Sequence, residues 1–87
     1  MFKIGQKYRE TSNCLGEPVK AKLTILEGPR VVEKRREWYC KRDYIRKYVS
    51  QATGEIITEK ARDFYWLGED FLELKLKRKE MLLNEKR

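Results

Sequence analysis

The chain has 87 residues and a net charge of +7, with 40% hydrophobic and 40% charged side chains. That length fits one domain with a single small core, the apolar fraction excludes disorder throughout, and no apolar run is long enough to cross a bilayer. Histidine is absent and the two cysteines, Cys14 and Cys40, lack metal-ligand spacing, so neither a metal nor a cofactor is expected.

In chain order, Phe2, Ile4 and Tyr8 are separated by polar neighbours and predict a first strand with one buried face. The N-terminus MFKIGQKYRE lacks the apolar core of a signal peptide, so a cytoplasmic chain that begins at Met1 is expected. Residues 10 to 18, ETSNCLGEP, read as an irregular surface loop. Val19, Ala21, Leu23 and Ile25 then alternate with Lys20, Lys22 and Thr24, the cleanest strand signal in the chain, with both lysines on its solvent face. Gly28-Pro29 is expected to end that strand, and RVVEKRRE to form a charged tip that carries Lys34, Arg35 and Arg36 into solvent.

The stretch from Trp38 to Thr58 reads as the centre of the domain. Tyr44, Arg46 and Tyr48 alternate with Ile45, Lys47 and Val49, the period of a strand, and Gly54 can take a positive φ that lets the chain turn at Ala52 to Glu55 and return through Ile56 and Ile57. One helix from Pro29 to Ser50 is the rival reading, because Glu, Lys and Arg are good helix formers; the β-branched and aromatic content favours the hairpin. Cys40, beside Trp38, reads as a small buried hydrophobe, and both cysteines as free thiols. Phe64 to Leu67, closed by Gly68, predict a single helical turn that plugs the core. Leu72, Leu74 and Leu76 predict a last strand, and KRKEMLLNEKR, residues 77–87, a short amphipathic helix. The domain boundaries follow as a β-domain over residues 1–76 and a charged extension over 77–87.

Five short strands with a one-turn plug before the last resemble an SH3-like small barrel, an all-β fold whose closure hides its edges. Tyr48-Val49-Ser50 with Thr53-Gly54-Glu55-Ile56, then Glu69-Asp70-Phe71-Leu72-Glu73-Leu74, is similar to the closing half of small SH3-like proteins of bacteriophages and prophages. The resemblance covers about a third of the chain and implies a fold more than an activity.

Charge is unevenly spread: residues 30 to 50 hold eight Lys or Arg against three acids, residues 51 to 74 two against six, and residues 75 to 87 six against two. A positive face for an anionic partner is the functional expectation, and mutual pairing on a solvated surface is the bland one. Without histidine, and with serine only at Ser12 and Ser50, materials for nucleophilic catalysis are thin, and the acids Glu59, Asp63, Glu69 and Asp70 read as solvated or capping groups; no enzymatic role and no small-molecule substrate are expected. Guanidinium and ammonium groups interleaved with aromatic rings suit phosphates and bases, so the candidate site is Lys34, Arg35, Arg36, Trp38, Arg42, Tyr44, Arg46, Lys47 and Tyr48, binding nucleic acid or a nucleic-acid-associated protein. The alternative is a phage-type regulator that docks on an acidic surface of a host protein, with Tyr8, Trp38, Tyr65 and Trp66 as aromatic anchors.

Overall fold

Alternation of apolar and polar residues builds most of this molecule. The computed structural model describes residues 2–14 and 17–84, without the side chains of 12–14 and 17–19. Its elements are β1 (Lys7–Cys14), β2 (Glu17–Val32), β3 (Arg35–Val49), β4 (Ile56–Gly68), α1 (Glu69–Lys77) and β5 (Met81–Leu83). The strands form one antiparallel sheet in the order β4-β3-β2-β1-β5. Strands β1 to β4 are a meander of hairpins, and α1 then carries the chain back across one face to deliver β5 beside β1. The sheet is therefore open: among the described residues no ladder joins β4 to β5, and the closed five-stranded barrel expected from the sequence is not what the pairings form.

The hairpin reading of the central stretch holds. β3 pairs with β4 from Glu37↔Gly68 to Val49↔Ile56, and Gly54, at φ 73°, donates its N–H to the Ser50 carbonyl at 2.8 Å in the turn. The charged segment after Pro29 is a hairpin tip, as expected, in which Glu33 and Lys34 both have positive φ and link Val32 directly to Arg35. Two successive positive φ values are what a two-residue hairpin loop needs to match the strand twist.

Several expected elements are different. The first strand starts later: residues 3–6 turn, Gly5 donates to the Ile25 carbonyl at 2.8 Å, and this reversal folds Phe2 back into the core. Of the expected loop at residues 10–18, residues 10–14 and 17–18 are instead paired ends of β1 and β2, as far as Cys14↔Glu17, because backbone pairing carries the polar run that side-chain pattern could not assign; residues 15–16 lie outside the described residues. Gly28-Pro29 does not end β2. The register shifts twice, between Ile25 and Glu27 and between Glu27 and Arg30, and such bulges leave residues outside the ladder, where a missing proline N–H costs nothing. Phe64 to Leu67 lie within β4 rather than in a helical plug, each facing a residue of β3. The helix is residues 69–77, where a strand was expected. Leu72 and Leu76 are one turn apart and face the sheet while Leu74 is exposed, and Glu69 and Asp70 at the start with Lys75 and Lys77 at the end suit the helix dipole. The tail is no helix either: Met81 is fully buried and β5 pairs with β1, so the expected extension closes one side of the core; residues 85–87 of it lie outside the described residues. No helix among the described residues is long and apolar enough to cross a membrane.

The core is one-sided. Tyr8, Leu23, Ile25, Trp38 and Cys40 from the sheet meet Phe2, Leu72 and Met81, with Leu67 and Leu76 packed against them. Trp38 stands 6.2 Å from the Phe2 ring, and Phe2 stands 5.8 Å from Tyr8. Below, the covered face is the side that carries this core and α1, and the open face is the other. The radius of gyration of 15.0 Å exceeds the roughly 12 Å of a compact chain of this length, as a sheet covered on one side requires.

Gly28 and Gly54 need their φ values for different reasons. At Gly28 (φ +127°) a Cβ would lie 3.0 Å from Trp38 Cε3 and 3.1 Å from the Glu37 carbonyl oxygen, whereas at Gly54 it would meet open space. Gly28→Ala should therefore lower stability by about 2 kcal/mol or more, through strain plus crowding at the Trp38 core, and Gly54→Val by about 1 kcal/mol through strain alone. Urea unfolding of the two variants beside the parent checks the ranking.

Candidate functional site

Because side chains alternate across a sheet, residues expected to act together are divided between its faces. Trp38 is only 4% exposed and belongs to the core; its indole N–H donates to Glu69 at 3.3 Å. Arg42, Tyr44, Arg46 and Tyr48 share its side of β3, and most are engaged there. Arg42 forms a two-pronged pair with Glu10, at 3.1 Å from Nε and 2.7 Å from Nη2. The Tyr44 hydroxyl donates to Asp63 at 2.8 Å, and Arg46 pairs with Glu59. Tyr48 is exposed near the C-terminal end of β3. Lys34 stands at the β2–β3 tip, with Arg35 and Arg36 exposed beside it, and Arg36 reaches Glu69 at 3.0 Å. Lys47 projects from the open face. The structure thus splits the nine candidates among a hairpin tip, the covered face and the open face, and no single surface unites them.

The covered face owes its polar centre to Glu10. This residue is 4% exposed, and its carboxylate accepts from Arg42 and from Lys75, so it ties β1 to β3 and α1. Burial pushes the Glu10 pKa up, but the hydrogen bonds and charges of Arg42 and Lys75 outweigh it and hold the carboxyl below its ordinary value. Arg42 also lies over the Tyr65 ring, at 5.6 Å. Cys40, buried beside this group, donates its thiol to the Trp38 carbonyl at 3.4 Å; burial and the nearby Glu10 charge push its pKa up to about 11. The expectation for Cys40 as a small buried group holds, and the Cys14 side chain lies outside those described.

The open face is of another kind. β1 contributes Lys7 and Arg9, β2 Lys20, Lys22 and Arg30, β3 Lys41 and Lys47, and β4 Lys60 and Arg62, against the acids Glu27, Glu37 and Asp43. Asp43 faces Arg62 at 2.6 Å and Lys41 at 3.9 Å, and the hydrogen bond from Arg62 lowers its pKa. Among the described residues, Lys7, Arg9, Lys20, Lys22 and Lys60 have no carboxylate within ion-pair distance. The expectation that Lys20 and Lys22 share a solvent face holds, since both are exposed and Ala21 and Leu23 between and beyond them are buried.

At the other end of this face is an aromatic cluster that sequence reasoning did not assign to the site. Tyr39 lies 5.1 Å from Trp66 at a tilt of 43° and 6.3 Å from Phe64 at 19°, and the Arg30 guanidinium, held by Glu37 at 2.8 Å, sits 4.0 Å over the indole of Trp66. A signal for it was present: once Trp38 and Cys40 are taken as core, alternation turns Tyr39 and Lys41 outward. The β2–β3 register runs from Val32↔Arg35 to Ala21↔Tyr44, and beyond that point the two outer hairpins continue as separate arms. A groove of about 770 Å³ lies there, lined by Arg9, Lys20, Lys22, Ile45, Lys60 and Arg62 among others. No group of three or more His, Cys, Asp or Glu among the described residues is arranged to hold a metal ion.

Two outcomes follow for the covered face. The folded pKa of Glu10 lies below that of the unfolded chain, so its contribution is complete above about pH 4.3, the ordinary Glu value, and is lost as pH falls through the lower folded value. Glu10→Gln should cost about 3 kcal/mol near neutral pH, because it leaves Arg42 and Lys75 without their buried counter-charge, and should flatten the acid limb of a stability–pH curve measured by thermal unfolding. The Cys40 thiol should resist alkylation at pH 8 in the folded chain and react at the ordinary rate in denaturant, as mass spectrometry of iodoacetamide-treated protein would record.

Compared with known protein families, curated proteins and solved structures, the chain matches none of them.

Proposed function

We propose that this chain is a non-enzymatic module that binds nucleic acid on the open face of its sheet. The observation that carries the reading is the meeting, on a face with no covering layer among the described residues, of a cluster of aromatic rings with Lys7, Arg9, Lys20, Lys22 and Lys60, which have no carboxylate within ion-pair distance there. Phosphate groups supply the counter-charge such a surface lacks, and release of their condensed cations drives association. The groove between the two arms, whose walls carry Arg9, Lys20, Lys22, Lys60, Arg62 and Lys79 against Glu10, Asp43 and Glu80, has a net positive lining that offers a track for the backbone. The residues that bear this role are Arg9, Lys20, Lys22 and Lys60 with Tyr39, Phe64 and Trp66; Lys41 and Arg62, which share Asp43, lie on the same face, as does Lys47 of the group expected from sequence.

The strand order β4-β3-β2-β1-β5, with a helix between the fourth and fifth strands, supports the SH3-like part of the reading, although Glu69–Leu74, read as its closing strand, lies in that helix. The second reading, a regulator docked on an acidic protein surface, draws support from the β3–β4 arm. There Ile45, Val49 and Ile56 are exposed on the open face and Tyr48 and Ile57 on the other, more apolar surface than a phosphate backbone needs.

Affinity for DNA and RNA should fall steeply with salt. Lys20→Ala, Lys22→Ala and Lys60→Ala should each lower the slope of log K against log salt by about one, while Arg46→Ala, on the covered side, should leave it unchanged. Fluorescence anisotropy across a salt series measures this. Binding no tighter than that of a scrambled basic peptide would overturn the reading in favour of docking on an acidic protein.

A further inference from the structure

We infer that Phe64 is a stacking platform for an unpaired base, which makes the open face a site for single-stranded rather than duplex nucleic acid. The inference rests on the nucleic-acid reading and narrows it. Phe64 is 51% exposed in the middle of a strand, with its side chain on the solvent side. A phenyl ring in that position has no core to join. Its neighbours keep it ready: Tyr39 lies nearly parallel to it at 6.3 Å, and Lys41 is its direct partner across the β3–β4 ladder.

Trp66 is differently placed, since one face of its indole is already occupied by Arg30 at 4.0 Å and Tyr39 lies against it. Phe64 is thus the ring of the cluster whose surface awaits a partner. Cations flank it where a phosphate chain would run: Lys41 beside it, Arg62 two residues before it on the same face of β4, and Lys22 on the row through Asp43 to Arg62.

The chemistry of the two nucleic-acid forms decides between them. A duplex keeps its base faces stacked inside and offers a sheet surface only phosphates, sugars and groove edges, so an exposed ring in mid-strand gains nothing from it. An unpaired base brings a free π-face to the ring while its phosphates reach the lysines. Every base has such a face, so the site should be tolerant of sequence.

The test uses the full chain with an unstructured oligothymidylate and a duplex of equal length, at one salt concentration and then across a series. The parent should bind the single strand at least tenfold tighter than the duplex and change its Trp66 emission on doing so; Trp38 is buried and contributes a constant background. Phe64→Leu should lose roughly tenfold to a hundredfold in single-strand affinity with the salt slope and duplex affinity unchanged. Phe64→Tyr, which keeps the ring, should retain the preference, and it separates loss of stacking from loss of folding. Equal affinity for both forms, with Phe64→Leu silent on each, overturns the inference and leaves the proposed function standing. Binding to neither form overturns both.

Discussion

A buried carboxylate holds this molecule together. Glu10, in the second strand position from the β5 edge, is sealed under α1 with Arg42 of β3 and Lys75 of the helix as its counter-charges. A lone carboxylate in that place would cost several kcal/mol, so the helix cannot leave without exposing a penalty, and the sheet cannot slip its register without parting Glu10 from Arg42. The group joins positions 32 and 65 residues apart in sequence. It also fixes which face the helix covers. Everything about the opposite face follows from that choice.

With one short helix among the described residues, the structure covers only one side of its sheet. The core on that side is small, and its aromatic members gather around Phe2, whose ring neighbours both Tyr8 and Trp38. The β3–β4 arm extends past the point where β2 ceases to pair with β3, so its exposed apolar side chains have no layer to enter. A two-stranded ribbon of this kind is marginal alone, and cross-strand pairs such as Arg46 with Glu59 help to keep it in register.

Charge is separated across the sheet rather than along the chain. The acids Glu10, Glu59, Asp63 and Glu69 all face the covered side, where they meet Arg42, Lys75, Arg46, Tyr44, Arg36 and the Trp38 indole. What remains on the open side is mainly basic. The acidic run from 51 to 74 and the basic run before it are therefore not two surfaces. The pleat interleaves them: Glu59 and Glu69 pair on the covered face, while on the open face Glu37 and Asp43 pair with Arg30, Lys41 and Arg62 and leave a basic excess.

The sequence by itself determined the local geometry wherever period-two spacing was strong: the strand through Ala21, Leu23 and Ile25, the turn at Gly54, and the burial of Cys40 beside Trp38. It could not determine the elements whose pattern suits either structure. Leu72, Leu74 and Leu76 alternate as in a strand, yet Leu72 and Leu76 also share a helical face, and only the presence of a sheet to cover made the helix the better solution. Phe64 to Leu67 and Met81 to Leu83 joined strands because a neighbouring strand was there to receive their backbone groups. The same reason explains the site. Residues such as Tyr44 and Lys47 are close in sequence but stand on opposite faces, while Lys22, Asp43 and Arg62 are far apart in sequence and form one row. Strand periodicity says that two faces exist; which of them is left open is decided by where the helix packs, and that depends on contacts between residues distant along the chain.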